Sequence, residues 1–258
     1  MKHLSRYLVI TFLILSGCSE IKPKPLVQKV FIYEKSNLDG SNKGQIAVYY
    51  EKEGKIEAFK WHEGHQQATV VRAWVNQDDY TVRRFEALRT NHLGNEKLNA
   101  VLEVTQDRTV NIQLGDQNQV FKSAPAQWHS YDFDFSSLGY AYRYIRNKNQ
   151  PISFNILDIE LNQTPYNLKD FGSVEMTFLG EEEKLSRQVL KYGIDGPGLD
   201  NRGGYIWFGK SDSVLVAFEI EKPDEPGYES GKLELKETLQ MNQKEWAEFK
   251  MNKLSNSH

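Results

Sequence analysis

The sequence predicts an all-β, mainly antiparallel protein: a curved meander sheet or half-open β-barrel with one short helix near residues 136–147. Two observations lead there. Apolar residues alternate with period two in segment after segment from Val30 onward, as half-buried strands require. Turn-forming clusters (Asp39-Gly40, Glu53-Gly54, Glu63-Gly64, residues 76–79, 92–95 and 106–108, Gly115-Asp116) punctuate them, and such short connections join antiparallel neighbours.

Residues 1–17 precede this pattern and have a different build. Lys2, His3 and Arg6 are followed by an apolar run through Leu15, the layout of a secretory leader. The run is shorter than the about 20 apolar residues that span a bilayer. It ends in Leu15-Ser16-Gly17-Cys18. This tetrapeptide resembles the lipobox of bacterial lipoproteins. The resemblance implies cleavage before Cys18, a diacylglycerol on its thiol and an acylated (palmitate-type) amine. It also implies a membrane-anchored protein of the cell envelope. Ser19 stands where an aspartate would retain such a protein at the inner membrane, so in a host with two membranes the expected address is the outer membrane, facing the periplasm. Two or more acyl chains anchor stably where one does not.

Three segments follow from this reading: a signal peptide over 1–17, a lipidated cysteine and tether over 18–28, and one β-rich domain over 29–254. Lys22-Pro23-Lys24-Pro25 favours an extended tether, and ten residues at about 3.3 Å each reach about 30 Å. Cys18 is the only cysteine, so its lipidation leaves no disulfide. The formal net charge is −3 and becomes more negative without Lys2 and Arg6. That balance argues against a nucleic-acid partner.

Within the domain, Ile46, Val48 and Tyr50 share one strand face, as do Leu98, Ala100, Leu102 and Val104, then Val110, Ile112 and Leu114, and later Val174, Met176 and Phe178. Phe59, Trp61, Val70 and Trp74 fall out of phase with their neighbours, which marks bulges or a covered second face. Ser136, Leu138, Ala141, Tyr144 and Ile145 recur at helical spacing behind a capping-type serine. The segment 214–220 is apolar on both faces, as a central strand is. The tail over 245–254 is read as a last strand, with a short helix as the alternative.

Candidate sites are few. The glycine-rich loop 193–204 permits positive φ and close backbone approach, which suits an anion, and Arg202 is its cation. It lacks the Lys-Ser/Thr of a phosphate-binding loop, and a wide β-connection is its plainer reading. Tyr205 and Trp207 follow in the most apolar run and join Arg202 as ligand-binding candidates. His62 and His65 flank Glu63-Gly64. Two histidines fall short of the three or four ligands of a zinc site, so no metal is assigned, and His129, Asp132 and Asp134 are the remaining donors considered. No cofactor is expected. No Gly-x-Ser-x-Gly elbow occurs, and no catalytic residue is named.

The stretch from Tyr131 through the helix to Tyr192-Gly193-Ile194 and Gly204-Tyr205-Ile206-Trp207-Phe208 is similar to an uncharacterised group of secreted bacterial β-rich proteins. It also resembles in build the lipoprotein-carrier family, whose members are half-open β-barrels lined by apolar side chains and closed by helices. This chain is longer and shows fewer helices. The resemblance implies an apolar or amphiphilic ligand in the curved sheet, whose aromatic residues suit such a ligand. An envelope scaffold or assembly partner without a small ligand is the alternative, and a hydrolase of envelope glycans or lipids the third reading.

Overall fold

The computed structural model describes residues 25–121, 124–160, 167–222 and 227–255. The leader, the lipobox and most of the tether lie outside these residues. Fifteen strands form one curved, unclosed sheet. The first meander comprises β1 (Lys29–Ser36), β2 (Gly44–Lys52), β3 (Lys55–Trp61), β4 (Gln67–Val75), β5 (Val82–Asn91), β6 (Glu96–Val104), β7 (Val110–Leu114) and β8 (Gln117–Phe121). The second comprises β9 (Trp128–His129), β10 (Ile152–Glu160), β11 (Asn167–Lys184), β12 (Arg187–Asp195), β13 (Tyr205–Gly209), β14 (Leu215–Ile220) and β15 (Gly231–Gln240). Within each meander consecutive strands pair, β8 and β9 form the two edges of the sheet, and the halves join where β1 pairs antiparallel with β15. Among the described strands, only β9 is parallel to its partner, β10.

Tight turns set this order. Gly40, Gly54, Gly64 and Gly94 all have positive φ, at the positions where hairpin turns favour glycine. At the N-terminal end of the described chain, the Gln28 amide donates to the Tyr50 carbonyl at 2.7 Å and the Met241 amide to the Gln28 carbonyl at 2.9 Å. The last residue of the expected tether is thereby bonded to the sheet.

Two helices cover the two faces. α1 (Asp132–Ala141), extended by a 3-10 turn over Tyr142–Tyr144, lies on the inner face between β9 and β10 in sequence. The inner core holds Ile46, Val48, Tyr50, Val110, Ile112, Val174 and Met176, as the alternation predicts, together with Phe135, Leu138 and Tyr142. Leu98 departs from its expected face and is 43% exposed, because a register shift between Ala87 and Leu88 disturbs the β5–β6 pairing beside it.

α2 (Gln243–Ser255) packs on the outer face and corrects the reading of the tail as a strand. The physical reason is a capping box. The Asn242 side chain accepts from the Lys244 and Glu245 amides at 2.9 and 3.1 Å, while Glu245 accepts from the Asn242 amide at 2.7 Å. Trp246 and Leu254 then meet Tyr49, Phe59, Trp61 and Val70 in a second core. The out-of-phase aromatic residues of β3 are therefore a covered second face. Across this layer Glu57 accepts from Trp246 Nε1 at 2.7 Å, Lys250 at 2.5 Å and Arg72 at 2.6 Å. Burial raises the Glu57 pKa, but the two cations outweigh it and hold the carboxyl below its ordinary value.

Candidate functional site

The inner face of a curved sheet is the natural place for a ligand, and here α1 occupies it. Tyr142 stacks on Phe208 with ring centres 3.6 Å apart and planes at 11°. Its hydroxyl meets that of Tyr192 at 2.6 Å, and Tyr192 donates onward to the Lys148 carbonyl at 2.8 Å. Burial, then this hydrogen bond, pushes the Tyr142 pKa up. Phe135 packs edge-on against Phe154 and Phe218. Gly139 brings the helix close to β14: a Cβ there would lie 3.3 Å from that of Leu215. The enclosed space between α1 and the sheet, lined by Tyr33, Ile46, Val48, Tyr50 and Leu233 among others, is about 10 Å³, scarcely one water.

Polar groups fix the helix ends. The Tyr140 hydroxyl accepts from the Gly54 amide at 2.5 Å and lies 3.0 Å from that of Tyr144, which donates to Glu53 at 2.7 Å. His129 Nδ1 lies 3.2 Å from Ser137 Oγ. Burial lowers the His129 pKa to about 3, so the imidazole is neutral at physiological pH. Arg143, 4% exposed, sits over the Tyr50 and Tyr144 rings at 6.0 and 5.7 Å. Two features run against this tight fit: Phe135 has φ +61° inside the helix, and Tyr131 caps it without a side-chain hydrogen bond.

The loop candidates gather elsewhere. Arg202 and Tyr205 line an open cleft of about 440 Å³ with Glu175, Asp195, Gly204 and Glu221. The Arg202 Nε donates to the Leu199 carbonyl at 2.9 Å, and its guanidinium lies 5.5 Å from the Tyr131 ring centre. Burial lowers its pKa, and Asp200 opposes the shift. The loop amides of Gly196 and Gly203 donate to Asp195 at 2.8 and 3.0 Å, so the chain's own carboxylate fills the place of an anion. The glycines also permit close contact: a Cβ at Gly198 would sit 2.6 Å from the Gly172 carbonyl oxygen, and one at Gly204 would sit 2.4 Å from that of Glu219.

Tyr205 and Trp207 point away from the inner face, which their neighbours Ile206 and Phe208 join. Trp207 is buried on the outer side, donates to Glu182 at 2.6 Å and lies beneath Lys184 at 4.1 Å. The structure therefore brings Arg202 and Tyr205 together and leaves Trp207 as their outer-face neighbour, 5.9 Å from the Tyr205 ring. The rings of His62 and His65 are 5.6 Å apart, and among the described residues no cluster of three potential metal ligands includes them. His129 belongs to the α1 contact, and the side chains of Asp132 and Asp134 lie outside the described set. Cys18 lies outside it too.

What fold and site define is a class: an open, curved antiparallel sheet with a helix-filled inner face. No family model and no curated protein matches the chain. Among solved structures it is similar to the crystal structure of a domain, provisionally assigned as an outer membrane lipoprotein-sorting protein, from Vibrio parahaemolyticus. The alignment covers 91% of this chain and 94% of that one at 9% identity, with a TM-score of 0.25.

Proposed function

We propose that the chain is an envelope lipoprotein, held at a membrane surface through lipid on Cys18, that binds envelope partners through its outer surface and rims while its interior stays closed. The observation supporting this reading is the packing of α1. Burying Phe135, Leu138, Tyr140 and Tyr142 contributes about 1.5–3 kcal/mol each, so removing the helix costs on the order of 10 kcal/mol. A lipid leaving a bilayer for the inner face exchanges one apolar environment for another and gains little to offset that cost.

A second reading, an apolar or amphiphilic ligand held in the curved sheet after α1 swings out, is favoured by the left-handed Phe135 and the helix start without a side-chain cap. Extraction and mass spectrometry of the full chain, purified without excess lipid, separate the two. The surface-binding reading expects no stoichiometric non-covalent lipid and a reproducible protein or glycan neighbour on crosslinking in cells. One lipid per chain would establish the second reading in its place.

A further inference from the structure

β9 is pinned across the sheet to the start of β5. The Thr81 hydroxyl accepts from the Trp128 amide at 2.9 Å and donates to the Trp128 carbonyl at 3.2 Å, and Gln127 donates to the Asp79 carbonyl at 3.2 Å. At this seam lies a cleft of about 530 Å³ lined by Arg83, Gln106, Arg108, Trp128, Ser153 and Asn155 among others. Its size falls within the about 300–1,000 Å³ of small-molecule sites.

Its charge is of opposite sign to that of the chain. Asp79 pairs with Arg83 through Nη2 alone, which leaves the other guanidinium nitrogens for a ligand, and the Arg108 guanidinium makes no ion pair or hydrogen bond among the described residues. The backbone that carries Arg108 is nevertheless held in place. It has φ +64° in a turn where Asp107 accepts from Thr105 and Thr109, and its carbonyl accepts from the Ala124 amide at 2.8 Å. A left-handed backbone favours glycine, so the turn carries an arginine at a conformational cost.

We propose that this cleft binds an anionic saccharide, a sugar bearing a carboxylate or phosphate, with Arg108 as the main anion contact and Arg83 as the second. Gln106, Ser153 and the Asn155 side-chain oxygen supply the mixed donors and acceptors that sugar hydroxyls require. The proposal names one contact of the surface-binding reading, and its test can fail independently of the lipid assay.

The full chain is titrated at millimolar concentration with N-acetylmuramic acid, glucose 6-phosphate, glucose and inorganic phosphate, followed by calorimetry and by the amide signals of 104–109 and 153–155. Saturable binding of an anionic sugar is expected, about tenfold or more tighter than glucose, weakened by salt. R108G is expected to lose at least about tenfold in affinity while its thermal midpoint stays level or rises, and R83Q is expected to weaken binding without unfolding. Glucose binding as tightly as the anionic sugars, phosphate binding as tightly as glucose 6-phosphate, no saturation by any probe, or an unchanged affinity in R108G would each overturn the proposal.

Discussion

Replacing Glu57 by glutamine tests how the outer helix is held. Glu57 is 4% exposed, and its carboxylate accepts from Trp246, Lys250 and Arg72 at 2.7, 2.5 and 2.6 Å. Glutamine keeps the volume and removes the charge. Breaking a buried ion pair by removing one partner costs about 3–5 kcal/mol. Glu96, which contacts both Arg72 and Lys250, keeps each cation partly matched, so the lower end applies. At about 2–4 °C per kcal/mol for a chain of this size, Glu57→Gln should lower the thermal midpoint by about 6–12 °C. The depressed Glu57 pKa adds a pH signature. Its contribution is fully present above the pKa of an unfolded glutamate and is lost as pH falls through the lower folded value. Urea unfolding followed by tryptophan fluorescence and calorimetry, repeated across the acid range, measures both. Adding Lys250→Met should restore part of the loss, because the cation left without Glu57 is then gone. A midpoint shift under about 2 °C, or an unchanged acid limb, would refute the claim that this buried charge holds α2.

Trp246→Ala removes stacking on Tyr49 and Phe249 at 5.2 and 5.5 Å as well as the bond to Glu57, and should cost about 3–5 kcal/mol by urea unfolding. Gly198→Ala places a methyl 2.6 Å from the Gly172 oxygen and 2.8 Å from Val174 Cγ2; a loss of about 1–3 kcal/mol is expected, with amide shifts confined to 172–174 and 196–204. The His129 pKa, lowered to about 3, makes the unfolded chain bind the extra proton. Stability should therefore fall as pH drops from about 6.5 toward 3, and His129→Gln should flatten that slope in acid titrations of unfolding.

Much of the sheet is legible because strand burial is local. Ile46, Val48 and Tyr50, or the doubly apolar 214–220, announce their faces by sequence spacing alone, and short turns dictate antiparallel neighbours. The helix centre is legible for the same reason, although α1 starts at Asp132, ahead of Ser136, without a side-chain cap. The pairing of β1 with β15 leaves no local mark, since it depends on contacts across the whole chain. α2 had a signal in Asn242 and Glu245, but the alternation of Leu233, Leu235 and Leu239 in β15 runs straight into it and masks the change of period. With α2 unread, the out-of-phase Phe59, Trp61 and Val70 mark either bulges or a covered second face, and only the docked helix selects the second. The site was harder. Nothing local tells that Tyr205 and Trp207 face outward while Phe208 faces in, or that Arg108 of one turn reaches the cleft beside Trp128, because both depend on how the sheet curves.

Native-state hydrogen exchange of the full chain measures directly whether α1 is a permanent part of the core. Amides of residues 138–142 should exchange only through global opening, with the same protection as the central strands β1 and β14 and no change on adding lipid vesicles. Exchange of α1 through a local opening while β1 and β14 stay protected, or its selective deprotection by vesicles, would contradict the closed interior.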